Sequence, residues 1–250
     1  VTCTAIIVQA RMTSTRLPGK VLKPIAGRPM LWHLTQRLRR ARAADDLVIA
    51  TTTNEADEPI VAFCAAEGVT CTRGSEHDVL ARYHEAALRV GATTVVRVTS
   101  DCPLIDPALV DQALTIFREG AYDYLSNMIS PTYPYGMAVE VMTAAALREA
   151  HTEARDPAER EHVTPFLYWR PARYRLRSLT REPDLSQHRW TVDTEADLEL
   201  VRRIVEALLP ERPCFDTGDV LALLEEHPDW TALNRHVQQR AVSQAPPKGP

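Results

Sequence analysis

The chain has 250 residues, 45% hydrophobic and 25% charged, which is ordinary for a globular protein and excludes disordered and fibrous classes. Its 29 Lys and Arg against 33 Asp and Glu leave a net charge of −4, which speaks against a general nucleic-acid binder. The mean hides an asymmetry: residues 1–44 hold nine Lys/Arg and no acid, and the rest hold 20 Lys/Arg against 33 acids. A head of +9 on a body of −13 calls for an anionic partner.

Other counts remove further classes. The nine glycines never form G-x-G, so the dinucleotide fingerprint is absent, and Ser14 and Val21 around Gly19-Lys20 break the P-loop pattern. Cys3, Cys64, Cys71, Cys102 and Cys214 contain no C-x-x-C, and no two histidines have zinc-site spacing. Scattered cysteines and the lack of a signal-peptide or spanning pattern give a cytoplasmic protein with reduced thiols as the expectation.

Along the chain, Ala5-Ile-Ile-Val8 reads as a strand buried on both faces, and a polar, basic loop follows from Gln9 to Lys20. Pro29 opens a helix with Met30, Leu31, Leu34, Leu38 and Ala41 on one face. Leu47–Thr51 is a strand, Asn54 is expected to cap a helix to about Glu67, and Gly68 stops it. A strand at Val69–Thr72 precedes a helix at Val79–Val90. Another at Thr94–Val98 precedes a helix with Asp106 as N-cap and Pro107 at its first position. This alternation predicts an α/β fold: a three-layer, mostly parallel, Rossmann-like sheet flanked by helices.

From Ser130 the rhythm breaks. Tyr133–Gly136 reads as a turn, Met137–Met142 as a strand and Ala144–Ala154 as a helix, before a bulky run containing Phe166, Tyr168 and Trp169. Residues of about 130–172 are therefore expected to form an inserted lobe, with the aromatic run as lobe packing or a dimer contact. Thr191–Thr194 is expected to close a strand, with Glu195 starting a helix through Leu198, Val201, Ile204 and Leu208. Pattern is lost after Asp229. One domain over 1–240 with a disordered tail at 241–250 is the expected organisation.

The densest chemistry lies in the first loop. Arg11, Arg16, Lys20, Ser14, Thr15 and Gly19 fall within ten residues at the C-terminal end of a strand, where open α/β sheets bind ligands. Guanidinium forks, a compact ammonium and a glycine suit a polyphosphate, whereas the alternative is a solvated basic loop. Asp101, in Thr99-Ser100-Asp101-Cys102-Pro103, sits at the same sheet edge. A carboxylate beside a triphosphate is repelled unless a divalent cation lies between, so Asp101 reads as a Mg²⁺ ligand or, otherwise, as a turn aspartate. Arg97, inside an apolar strand, is either a buried ion pair or a nucleotide contact.

R-M-T-S-T-R-L-P-G-K-V-L (11–22) resembles the nucleotide loop of the CMP-sugar synthetase-like cytidylyltransferases, nearest to the spore-coat polysaccharide SpsF type. The likeness continues in family order through segments 50–59, 73–83, 97–107, 132–136, 161–166 and 191–199. It implies CMP transfer from CTP to a small acceptor, an acidic sugar or related compound, with pyrophosphate released, Mg²⁺ as cofactor and a homodimer as the assembly. Nucleic acid and membrane are not expected partners. Arg11, Arg16, Lys20 and Asp101 would be catalytic, with Ala10, Ser14, Thr15, Gly19 and Ser100 holding nucleotide. Asp193 would be the second metal aspartate, unless it or Thr194 merely caps the following helix, and Asp197 is expected on that helix's surface. Arg73 and Ser75 would approach the base or belong to an ordinary turn. Glu140 and His162 are the acceptor candidates, His162 alternatively being a core histidine. Where the resembling sequences read G-L-D-V-E, this chain has Gly136-Met-Ala138-Val-Glu140, so a carboxylate is missing at the acceptor end. A metal-dependent glycosyltransferase, which usually carries the D-x-D absent here, and a non-catalytic nucleotide-binding assembly protein are the other readings.

Overall fold

The four side chains of Ala5–Val8 are at most 1% exposed and point alternately to two separate cores. Ile6 and Val8 enter one core, and Ala5 and Ile7 enter the other. Burial of an Ile or Val is worth about 1.5–3 kcal/mol, so a strand covered on both faces keeps its interior apolar.

That strand is the hub of a computed structural model that describes residues 2–238. In chain order come β1 (Thr4–Gln9), a ribbon of β2 (Pro24–Ile25) and β3 (Arg28–Pro29), α1 (Met30–Leu38), β4 (Asp46–Thr52), α2 (Glu58–Glu67), β5 (Thr70–Gly74), α3 (Val79–Arg89) and β6 (Thr94–Thr99). Next are α4 (Pro107–Glu119), β7 (Tyr124–Ser126), β8 (Glu140–Thr143), α5 (Ala144–Glu153), α6 (Pro157–His162), α7 (Pro165–Tyr168), β9 (Leu176–Ser178), α8 (Glu195–Leu208) and α9 (Thr217–Glu226). The main sheet has the order β5-β4-β1-β6-β8-β7-β9. β8 alone runs against its neighbours, so the fold is the expected mostly parallel three-layer arrangement. The chain leaves β1 for β4 on one side and returns to β6 on the other, which opens a crevice beyond the carboxyl ends of β1 and β6.

Local signals behave as their chemistry demands, with three exceptions. Gly68 ends α2 at φ +61, Asp106 accepts from Ala108 N at 2.9 Å to cap α4, and Thr194 with Asp197 forms a reciprocal capping box on α8. Asn54, however, makes no side-chain cap: a 3-10 turn at Glu55–Asp57 intervenes, and Asn54 Nδ2 donates to Glu76 at 2.5 Å. Thr191–Thr194 is not a strand. Tyr135 and Arg189 form an isolated bridge, after which Val192 N donates to Asp101 O at 2.8 Å, so no ladder develops. Asp197 is not on the helix surface but fully buried, because its cap position faces the sheet edge.

The segment 130–172 does not stand off as a lobe. It contributes β8 to the sheet between β6 and β7, and its Phe166 and Leu167 complete the core beneath α3 and α5. Past Asp229, Asn234 is buried and donates to Arg189 O and Asp197 Oδ1, at 2.9 and 2.8 Å. The expected tail at 241–250 lies outside the described residues.

One glycine controls how the late chain meets the sheet. Gly136 has φ +105, and a Cβ there would lie 2.5 Å from the Trp190 carbonyl carbon and press on Thr191 N. Gly136→Ala is therefore expected to cost on the order of 2–3 kcal/mol in urea unfolding. Gly27→Ala, at φ +74 with open space around it, carries the left-handed strain without the clash and should cost about 1–2 kcal/mol. Equal effects of the two would show that backbone crowding at Gly136 is unimportant.

Candidate active site

The loop after β1 is a closed ring rather than a free basic segment. Gly19 N donates to Met12 O at 2.8 Å, Leu17 is 3% exposed, and Met12 N donates to the buried carboxylate of Asp57 at 2.7 Å. Gly19 takes φ +69 at the ring's exit, a left-handed turn that side-chain-bearing residues resist. Lys20 begins the next turn with its side chain directed inward.

Lys20 Nζ ends between two carboxylates. It lies 3.3 Å from Asp101 Oδ2 and 3.0 Å from Asp193 Oδ1, and it donates to Val192 O at 2.7 Å. Burial opposes its charge, but the two aspartates outweigh this and hold the ammonium above its usual range. Arg16 reaches Asp193 Oδ2 at 2.8 Å. Arg189 bridges Asp193 Oδ2 and Asp197 Oδ1, each at 2.9 Å. Burial pushes the Asp193 and Asp197 carboxyls up, yet the neighbouring cations more than compensate and leave both below the ordinary aspartate range. Thr99 Oγ1 holds the other oxygen of Asp101 at 2.5 Å.

Of these groups, Arg16, Lys20, Thr99, Asp101 and Asp193 line a cleft of about 660 Å³, within the usual span of small-ligand sites. Ala10, Arg11, Ser14, Thr15, Arg16, Lys20, Ser100, Asp101, Asp193 and His162 all line it. Arg11 pairs with Glu76 across the mouth at 3.3 Å, and Glu76 also accepts from Thr13 and Asn54, both at 2.5 Å.

Four expected site residues, Glu140, Arg73, Ser75 and Gly19, do not line the cleft. Glu140 is buried on β8 directly opposite Arg97 on β6. The two form an ion pair, and Tyr124 Oη donates to the second carboxylate oxygen at 2.6 Å. Arg97 is thus both the buried ion pair and part of the cleft floor. Arg73 turns to Glu58 at 2.6 Å and to the carbonyls of Thr52 and Asn54. Ser75 Oγ accepts from Asp78 N at 3.2 Å in the turn before α3. Gly19 acts through loop geometry.

At the opposite wall, Ala138 leaves a space beside Gly136, Met128, Glu161 and His162. Burial holds His162 below the usual histidine range, with Glu161 opposing the shift, so the ring is neutral at pH 7. Val163, a β-branched residue at φ +73, ends α6 immediately after it. Such strain persists where surrounding structure enforces it, here beside the cleft. Sequence reading missed Arg189, Arg82, Glu76 and Asp57. For Arg189 the signal was its fixed offsets of four and eight from Asp193 and Asp197; Asp57, Glu76 and Arg82 lie within the segments 50–59 and 73–83 that carry the family likeness, but were not singled out there.

Two carboxylates and a carbonyl already surround one cation at the sheet edge, as the oxygen-rich environment of a hard divalent cation would require. Among the described residues no group of three or more His, Cys, Asp or Glu is assembled for a metal. The donor set therefore fits a cation held by Asp101 and Asp193 and completed by substrate phosphates.

A mostly parallel sheet with a polyanion cradle at its switch point defines a nucleotide-handling α/β enzyme of the nucleotidyltransferase class. Residues 5–226 match the family model described as cytidylyltransferase, and the chain belongs to that family. It is 35% identical over 235 residues to the spore coat polysaccharide biosynthesis protein SpsF of Bacillus subtilis, covering 89% of this chain and 94% of SpsF. An uncharacterized protein of Methanocaldococcus jannaschii is 33% identical over 239 residues, with 94% and 96% covered. A solved cytidylyltransferase from Leptospira borgpetersenii superposes with a TM-score of 0.89 at 29% identity, covering 96% of this chain and all of that one. Among the described residues no helix is long and apolar enough to cross a membrane.

The charge cluster sets a pH dependence. Depressed carboxyls contribute stability above their unfolded value, near 3.8, and lose it as pH falls through the lower folded values. Lys20 has the opposite sign: its contribution is complete below 10.5 and is lost only as pH rises through the raised folded value. Urea unfolding followed against pH should show stability falling below about pH 4. Asp197→Asn should cost about 3–5 kcal/mol at pH 7 and flatten that acid limb. An unchanged limb in the variant would show that the cluster does not govern it.

Proposed function

We propose that the protein transfers CMP from CTP to a small acceptor, an acidic sugar or related compound, with release of pyrophosphate and Mg²⁺ as cofactor. The observation that carries this reading is the convergence of Arg16, Lys20, Asp101 and Asp193 beneath a closed basic loop, in a chain of the cytidylyltransferase family. In the reaction an acceptor oxygen bonds to the α-phosphorus. The bond from that phosphorus to the bridging oxygen breaks, and pyrophosphate leaves with the electron pair. Arg11, Arg16 and Lys20 balance the charge on the β- and γ-phosphates by turning from their carboxylate partners to phosphate oxygens. Asp101 and Asp193 would hold Mg²⁺, which supplies charge neutralisation at the phosphate oxygens. Ser14, Thr15, Ser100 and the Ala10 backbone line the nucleotide's path. His162, neutral and half-buried, accepts a hydrogen bond or proton from the acceptor hydroxyl. Preorganised charge does most of this work.

A homodimer in the cytoplasm is part of this reading, and sedimentation velocity tests the assembly. The activity is tested by pyrophosphate release with each of four nucleoside triphosphates across a panel of acid sugars. Turnover with CTP and one acceptor class supports it; no release with any pair, from folded protein that binds no CTP, sinks it. Lys20→Ala and Asp101→Asn should each lower the rate about 10²–10³-fold without loss of secondary structure by circular dichroism. Near-normal rates in both variants would remove the phosphate cradle from the mechanism.

A further inference from the structure

A second cavity, of about 480 Å³, adjoins the charge cluster and has no part in the proposed reaction. It lies between residues 186–190, α8, α9 and residues 231–237. Tyr135 lines both this cavity and the cleft. Arg189 lines only this one, while its partner Asp193 lines the cleft, so the pair stands between the two spaces. The volume falls within the usual span of small-ligand sites.

The lining states what such a ligand must offer. Trp190 is 1% exposed and lines the cavity, yet its indole Nε1 is buried with no hydrogen-bond partner. An indole N–H can only donate, and a buried donor without an acceptor is costly. Asn234 offers no acceptor through its amide nitrogen, which donates to Arg189 O and Asp197 Oδ1. No Asp or Glu is among the described residues that line the space. Burial holds the His188 ring, 5.7 Å from that of Trp190, below the usual histidine range, so it is uncharged at pH 7. Arg235, by contrast, is exposed and forms no ion pair among the described residues. Leu200, Leu224 and Val237 supply apolar surface.

These three features select one chemistry. A compact multivalent anion would need more donors than one indole and would leave the apolar surface without a partner. A plain hydrocarbon would leave Nε1 without an acceptor. An organic monocarboxylate with an apolar ring or branched body meets the donor, the cation and the apolar surface together.

We infer that this cavity is a second ligand site, built for a small organic monocarboxylate. Trp190 Nε1 donates to a carboxylate oxygen, Arg235 supplies positive charge at the rim, and the body lies against Leu200, Leu224 and Val237. The site does not rest on the proposed use of CTP, because Lys20, Asp101 and Asp193 do not line it.

Benzoate is the probe. In the full wild-type chain the Trp190 indole N–H resonance is assigned and followed by ¹H–¹⁵N NMR as benzoate is added to millimolar concentration. A saturable shift is expected, with nuclear Overhauser contacts from the benzoate ring to the methyls of Leu200, Leu224 and Val237. Benzamide, of the same shape without the charge, should bind at least about 10-fold more weakly, and inorganic phosphate should leave the resonance in place. Arg235→Gln, an exposed change, should weaken benzoate about 2- to 5-fold. Val237→Phe, which places a ring in the apolar part of the space, should abolish the shift. No saturable shift in the folded wild type, whether water or residues 239–250 occupy the space, overturns the proposal. Overhauser contacts to cleft residues in place of the three methyls also overturn it, as does equal affinity for benzoate and benzamide. A wild type that binds benzoate in this way and releases no pyrophosphate with any nucleotide overturns the proposed function alone.

Discussion

The shared carboxylate of Asp193 is the constraint on which the site depends. Its two oxygens are taken by Lys20 on one side and by Arg16 and Arg189 on the other. Through them it ties the first loop of the chain to a segment more than 170 residues later. Asp101 joins the cluster from the end of β6 through Lys20, and Asp197 joins through Arg189. Burying any one of these charges alone would cost several kcal/mol. Their mutual pairing lets three cations and three anions share the carboxyl edge of the sheet, and it holds residues 189–197 against that edge without any strand ladder.

The same logic partitions the cleft. β8 runs antiparallel beside β6, which sets Glu140 opposite Arg97 and cancels that cation from below. Tyr83, whose Oη bonds Val98 O and accepts from Gln9 N, separates this pair from Arg82 on the next residue of α3. Burial pushes the Tyr83 phenol up to about 12, so it stays a neutral spacer at physiological pH. The positive field available to a ligand is thereby concentrated at the loop end, while the far wall carries the Glu161 carboxylate and an uncharged His162. A polyanion and a hydroxylated acceptor would consequently sort to different ends of one cleft.

Much of this was legible in the residues because local chemistry and tertiary role coincided. The uninterrupted apolar run of β1 demanded two covered faces, and the acid-free basic loop demanded an anion. Arg16, Lys20, Asp101 and Asp193 were each marked by a strand end or a motif, and the structure gathers them. The failures share another cause: they concern residues whose partner lies across the sheet. Glu140 looked accessible because nothing nearby in sequence says that an antiparallel strand will face it with Arg97. Asp197 looked like a helix-surface residue because its pattern position is polar, yet its capping role turns it inward to Arg189 and Asn234. Arg73 looked free to approach a base because nothing nearby in sequence says that Glu58 and the carbonyls of Thr52 and Asn54 will take its guanidinium. The segment 130–172 looked inserted because its periodicity changed, when the change marks a strand reversing direction within the sheet.

The free state of the cluster also shapes how a nucleotide would enter. Lys20 Nζ sits between Asp101 and Asp193 with a backbone carbonyl as third acceptor, an arrangement that satisfies the carboxylates without a ligand. Drawing Lys20 toward a triphosphate strips both aspartates of that cation and leaves two anions facing a third. Such a state is repulsive unless another positive charge arrives with the phosphates. On the proposed reading, Lys20 and a nucleotide-borne cation would take the same place between the carboxylates in turn, leaving neither the carboxylates nor the triphosphate uncompensated. Arg189, already on Asp193 Oδ2, would remain there and keep that carboxylate oriented while Lys20 and Arg16 turn to the phosphates. The cost of moving Lys20 is then limited to exchanging charged contacts of similar strength. On this account, Arg11, Arg16 and Lys20 of the basic head would be cations stored on carboxylates and released to a polyanion.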